Sequence, residues 1–159
     1  MNKAYLLIGG NVGDRHKNLE QAAQLIEGQA GKVVRRSSVY ETAAWGKEDQ
    51  PAFLNQVLLV ETELDPQALL QSILKAELRM GRTRNEKYGP RTIDIDILLY
   101  NDDSVDTNEL VIPHPQLHLR RFALMPLAEI AASKIHPLLK KSIDELLLEC
   151  PDKLSVKKL

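Results

Sequence analysis

Two aspartates two residues apart, Asp94 and Asp96, follow a run of cations formed by Arg82, Arg84, Lys87 and Arg91. Carboxylates hold hard cations such as Mg²⁺, and guanidinium groups grip phosphate oxygens. Together they suit metal ions and a polyphosphate. Residues 93–100 read as a strand, and side chains two apart on a strand point the same way. Asp94 and Asp96 then share one face, while Ile93, Ile95 and Ile97 share the other. The isoleucines can enter a core while both carboxylates face a cleft. A solvated edge strand could also carry the pair. Yet aspartate is a poor strand former, and two of them among isoleucines need a reason.

Other candidates are weaker. Phe53 and Asn55 share a strand face by the same period of two. An amide can read the edge of a flat heterocycle, and an aromatic ring can stack on it. Core packing is the plainer account of Phe53. His114 and His118 are four apart, but Pro115 intervenes and no zincin glutamate follows His114. His114 could instead donate a hydrogen bond to phosphate. Cys150 has no histidine close in sequence and reads as a packed spectator. The turn Gly9-Gly10-Asn11-Val12-Gly13-Asp14 lacks both the dinucleotide-binding glycine spacing and a phosphate-loop lysine. It reads as a tight strand-to-helix turn.

The elements that must position these residues follow in order. Residues 3–9 read as a buried strand. Asp14 caps a helix to about residue 29, with Leu19, Ala22, Ala23 and Ile26 on its apolar stripe. Residues 33–40 and 53–64 read as strands. Asp65-Pro66 starts a helix that runs through Leu69, Ile73, Ala76 and Met80 and ends at Gly81. After the 93–100 strand come a polar turn at 101–108, a short strand at 110–112 and a helix at 122–132 that contains Pro126. Ser142-Ile143-Asp144-Glu145 is a capping box ahead of a last helix. The segment after Ala132 reads as packing and a tail. Strand, helix, strand, strand, helix, strand is the split βαβ order of a ferredoxin-like α+β fold. It predicts an antiparallel sheet with both main helices on one face, the other face left for ligand, and extra C-terminal helices.

The 159 residues favour a single domain spanning 1–159. With 21 basic and 22 acidic residues, the net charge of −1 argues against a general nucleic-acid binder. The basic residues cluster locally: residues 75–91 hold Lys75, Arg79, Arg82, Arg84, Lys87 and Arg91 against Glu77 and Glu86. Cys150 is the only cysteine, so no internal disulfide forms and a reducing compartment is natural. No apolar run reaches membrane-spanning length. A cytoplasmic protein is expected, or one in an organelle after removal of a targeting segment.

The segment Gly89-Pro90-Arg91-Thr92-Ile93-Asp94-Ile95-Asp96-Ile97 resembles the signature of the 6-hydroxymethyl-7,8-dihydropterin pyrophosphokinases of folate biosynthesis. Leu7-Ile8-Gly9-Gly10-Asn11-Val12-Gly13-Asp14, Ser38-Val39-Tyr40-Glu41-Thr42, Phe53-Leu54-Asn55 and Val111-Ile112-Pro113-His114-Pro115 are also similar to that family, in the same order. The resemblance implies transfer of a pyrophosphoryl group from ATP to the pterin hydroxymethyl group, leaving AMP. It implies two Mg²⁺ ions on Asp94 and Asp96, with Arg82 and Arg91 also catalytic. It implies ATP contacts from Glu77, Arg82, Arg84, Arg91, Ile97, His114 and Arg120. The pterin would lie between Phe53 and Phe122, read by Asn55, Gly9 and the stretch Thr42, Ala43 and Trp45. The basic loop is then expected to close over ATP and exclude water. The implied partners are these two small molecules, with no nucleic acid and no membrane, in a monomer or weak homodimer.

The chain departs from the family pattern in places. Ala43 stands where proline is common, Tyr88 where some relatives have tryptophan, and Glu109 where some have a basic residue. None of these touches the metal ligands. Two rivals share the carboxylate pair or the fold: a nucleotidyltransferase, which would release pyrophosphate, and a ferredoxin-like ligand sensor, which would consume no ATP.

Overall fold

The structure is a computed structural model that describes residues 1–43, 51–81 and 92–159. Strand β1 (Asn2–Gly10) leads into helix α1 (Arg15–Gln29), where the Asp14 carboxylate accepts the Lys17 amide at 3.2 Å. This cap satisfies an amide that has no partner within the helix. Helix α2 (Pro66–Arg79) starts the same way, with Asp65 accepting the Ala68 amide at 2.8 Å. Strand β4 (Phe53–Thr62) precedes α2, and β5 (Asp94–Tyr100) follows it in sequence.

The expected 33–40 strand is two strands, β2 (Lys32–Arg36) and β3 (Tyr40–Thr42). Both pair with β4, one after the other along it. Ser37 makes the break. Its amide donates to the Val57 carbonyl and its hydroxyl accepts the Val57 amide, both at 2.9 Å. A side-chain hydroxyl there replaces a rung of the ladder, and the chain leaves the strand path.

The larger sheet runs β5–β1–β4–β3, with β2 also on β4, and every pairing is antiparallel. This is the predicted split βαβ order. Two further strands were not foreseen. The tail adds β8 (Val156–Lys158) at the edge of β3, and the expected polar turn contains β6 (Val105–Asp106), which pairs with β7 (Val111–Ile112).

One sheet face carries Leu6, Ile8, Leu54, Leu58, Ile95 and Ile97 into a core with α1 and α2. Gly31 lets the α1 exit pass close to β4, since a Cβ there would meet the Glu61 carbonyl oxygen at 2.2 Å. The second face is shared rather than left wholly to ligand. Helices α3 (Arg121–Ala131) and α4 (Ile143–Glu149) cover Leu7, Val57 and Leu99. Register along β5 shifts between the pairs Tyr5–Leu99 and Leu6–Ile97, which leaves Leu98 as an extra residue. Such a bulge changes the alternation. Leu98 and Leu99 accordingly both join the second core. Cys150 is buried there as well. Among the described residues no helix is long and apolar enough to cross a membrane.

Candidate active site

The site grows from one row across the sheet. Asp94 pairs with Gly9, Gly9 with Asn55, and Asn55 with Tyr40. Directly paired residues of neighbouring strands share a face. Asp94 and Asp96, Phe53 and Asn55, and Thr42 therefore meet on the face opposite α1 and α2. Strands lie about 4.8 Å apart, so Asp94 and Asn55, two strands away, are on the order of 10 Å apart at the backbone.

Gly9 sits between them for a steric reason. A Cβ at Gly9 would lie 2.1 Å from Asn55 Oδ1 and 2.9 Å from the Leu54 carbonyl oxygen. The Asn55 amide lies over this glycine. Thr42, paired with Phe53, is buried, and its hydroxyl has no hydrogen-bond partner among the described residues. Buried hydroxyls are ordinarily satisfied, so this one invites a polar ligand. Phe122 lies in the first turn of α3 and packs against the second core, still partly exposed. Phe53 is likewise partly exposed. Ala43, just after β3, is at the surface.

Three of the residues expected to contact ATP, Glu77, Ile97 and His114, lie on or against β5. The Glu77 carboxylate on α2 is only 2 % exposed and accepts the Ile95 amide at 2.8 Å. The His114 amide donates to the Leu98 carbonyl at 3.0 Å. His114 Nδ1 accepts the Gln116 amide at 3.1 Å, which leaves its proton on Nε2. Burial pushes His114 down to about 4, with Arg120 adding to the effect and Asp94 opposing it. The imidazole is thus a neutral donor near physiological pH. The Arg120 guanidinium is bonded to the Gln116 amide oxygen and lies 5.6 Å from the centre of the Phe122 ring. Glu77 and Ile97 do not reach the shared face. The Ile97 side chain is buried in the first core, which leaves only its backbone for the expected nucleotide contact.

Arg82, Arg84, Arg91 and Trp45 lie outside the described residues, as does the expected closing loop of residues 82–91. Among the described residues no three His, Cys, Asp or Glu side chains gather as a metal cluster. The pair Asp94 and Asp96 offers two half-buried carboxylates, the oxygen donors a hard cation takes. The donor chemistry fits Mg²⁺, with phosphate oxygens and water left to complete the shell.

The polar groups of the first turn face the protein. Asn11 Nδ2 donates to the Pro51 carbonyl at 3.0 Å, and one Arg15 nitrogen donates to Glu41 at 3.0 Å and to the Ala52 carbonyl at 2.9 Å. The turn therefore pins the chain on both sides of residues 44–50. Sequence reading missed this role, because the partners are distant in the chain and only the type of Asn11, a buried amide, hints at it.

A profile of the 7,8-dihydro-6-hydroxymethylpterin-pyrophosphokinase family matches residues 5–132. The chain is 45% identical over 130 residues to the 2-amino-4-hydroxy-6-hydroxymethyldihydropteridine pyrophosphokinase of Bacillus subtilis, covering 81% of this chain and 78% of that one. It is 46% identical over 145 residues to the Aquifex aeolicus protein of the same name, covering 91% and 90%. A solved structure of wild-type Plasmodium falciparum HPPK-DHPS with STZ-DHP superposes with a TM-score of 0.75 at 20% identity, over 93% of this chain. The chain spans 43% of the length of that structure's chain, and the likeness at this identity speaks for the fold alone.

Proposed function

The chain belongs to the 7,8-dihydro-6-hydroxymethylpterin-pyrophosphokinase family, and on that premise we propose the site chemistry that follows. The enzyme is an ATP-dependent pyrophosphokinase of folate biosynthesis. It transfers the β,γ-pyrophosphoryl group of ATP to the hydroxyl of 6-hydroxymethyl-7,8-dihydropterin and leaves AMP. The observation that carries the site reading is the convergence of Asp94, Asp96, Gly9, Asn55, Phe53 and Thr42 on one sheet face.

In this reading the pterin ring lies against Phe53 and Phe122. Asn55 and the buried Thr42 hydroxyl pair with its polar edge, with Gly9 making room for the Asn55 amide. The family pattern assigns Ala43 and Trp45 to the pterin site as well. The triphosphate runs toward β5, where the neutral His114 donates from Nε2 and Arg120, Arg82, Arg84 and Arg91 offset phosphate charge. Asp94 and Asp96 would hold two Mg²⁺ ions, which would supply positive charge against the phosphates and make the attacking hydroxyl more acidic. The pterin oxygen attacks the β-phosphorus as the bond to the bridging oxygen of AMP breaks, and an Asp96 oxygen accepts the hydroxyl proton. Most of the rate then comes from positioning and charge. Glu77 acts at one remove by holding β5. We place the enzyme in the cytoplasm, as one domain over residues 1–159 and a monomer or weak homodimer.

Product analysis tests this. ATP, Mg²⁺ and hydroxymethyl-dihydropterin are expected to give AMP and the pterin diphosphate. ADP, or free pyrophosphate released from ATP, would overturn it.

A further inference from the structure

A hydrogen-bonded clamp joins the sheet to α3 through residues to which the reaction above gives no role. The Tyr40 hydroxyl donates to Glu129 Oε1 at 2.6 Å. The Ser38 amide donates to Glu129 Oε1 at 3.1 Å and Oε2 at 3.0 Å, and the Ser38 hydroxyl donates to Oε2 at 3.0 Å. Tyr40 is 4% exposed, whereas Glu129 sits at the surface of α3. Burial would raise the Glu129 carboxyl, but the bonds from Tyr40 and Ser38 and the nearby Lys158 ammonium outweigh it and hold the carboxyl low. Burial, then Glu129 itself, pushes the Tyr40 phenol well above its ordinary range. Donor and acceptor therefore keep their roles through the neutral range.

The clamp touches both walls of the pterin site. Tyr40 is the direct partner of Asn55 in the sheet, two residues before Thr42. Glu129 is seven residues after Phe122 on α3. Seven residues are close to two helical turns, or about 10.5 Å, so the two side chains share one stripe of the helix. Pro126 lies between them inside the helix. It cannot donate to the Phe122 carbonyl, so the turn bearing Phe122 is held less by its own ladder and more by tertiary contacts.

We propose that Glu129, through Tyr40 and Ser38, is a positioning residue for the pterin: it sets the rotation and height of α3 over β3, and so the gap between Phe122 and the Phe53–Asn55 wall. This rests on the pterin reading above. A flat ring held between two walls tolerates little error in their separation, and misplacement by about 1 Å can cost ~100-fold in rate.

The test compares wild type with Tyr40→Phe, Glu129→Ala and Glu129→Gln. Binding of 6-hydroxymethylpterin and of a non-hydrolysable ATP analogue is measured separately, alongside KM and kcat. Tyr40→Phe and Glu129→Ala are expected to weaken pterin binding about 10-fold and leave the ATP analogue within about twofold. Glu129→Gln keeps an oxygen acceptor and should recover most of the pterin affinity. Tyr40→Phe preserves ring packing, so it reports even if Glu129→Ala folds poorly. Unchanged pterin affinity in Tyr40→Phe overturns the inference while leaving the reaction intact, and so does a parallel loss of both ligands. A wild type that forms no AMP overturns the reaction and the inference together.

Discussion

The Glu77 carboxylate accepts the amide hydrogen of Ile95 at 2.8 Å, and Ile95 is the residue between Asp94 and Asp96. Among the described residues, β5 pairs in the sheet with β1 and lies at its edge. An edge strand presents amides that pair with nothing in the sheet. Glu77 takes one of them from the helix above, so a core carboxylate holds the strand that presents Asp94 and Asp96. Glu77→Ala leaves that amide buried and unpaired. It should lower unfolding stability by roughly 1–3 kcal/mol and reduce kcat, with Glu77→Gln closer to wild type. Urea unfolding with parallel kinetics checks both.

Asp94→Ala and Asp96→Ala remove half-buried carboxylates from the face opposite the isoleucine core. Neither variant disturbs that core. Both should melt near the wild-type temperature, yet lose activity by at least ~100-fold, the scale of losing a group that stabilises transition-state charge. EDTA should abolish wild-type turnover and Mg²⁺ restore it. Near-normal turnover in Asp96→Ala would remove the metal argument.

Gly9→Ala places a methyl group 2.1 Å from Asn55 Oδ1 and 2.9 Å from the Leu54 backbone. The amide must swing aside or the strands must part. Pterin affinity should fall about 10-fold or more, with ATP affinity less affected, because overpacking costs about 1–3 kcal/mol and falls first on Asn55. Calorimetric titration of each ligand separates the two effects.

His114 is held down to about 4 by burial first and Arg120 second. Its folded pKa lies below its unfolded one, so the unfolded chain binds the proton more readily. His114 therefore lowers stability as pH falls from about 6.5 toward 4, by on the order of 3 kcal/mol in full. Wild type should lose more stability between pH 7 and pH 5 than His114→Gln does. Equal slopes in the two proteins would show that the histidine is not buried in this way.

Much of the fold was legible because its signals are local. Asp14, Asp65 and Ser142 each stand just before a helix and cap it through their own side chain. The alternation of aspartate and isoleucine in 93–97 needed no distant partner to be read. The break at Ser37 was not legible, because it depends on Val57, twenty residues away. Nor was β8, since a three-residue strand with two lysines has little pattern until β3 offers it an edge.

The site divides along the same line. Sequence alone determined which face of β5 carries the carboxylates, because strand periodicity is a property of the backbone. It also determined that Phe53 and Asn55 lie on one face. Only the tertiary structure decided that Gly9 sits between Asp94 and Asn55, that Glu77 holds β5 from behind, and that Glu129 reaches Tyr40 from α3. Those facts follow from strand register and helix docking. Both are set by the burial of two cores on opposite faces of one sheet, and burial at that range leaves no mark in the spacing of neighbouring residues.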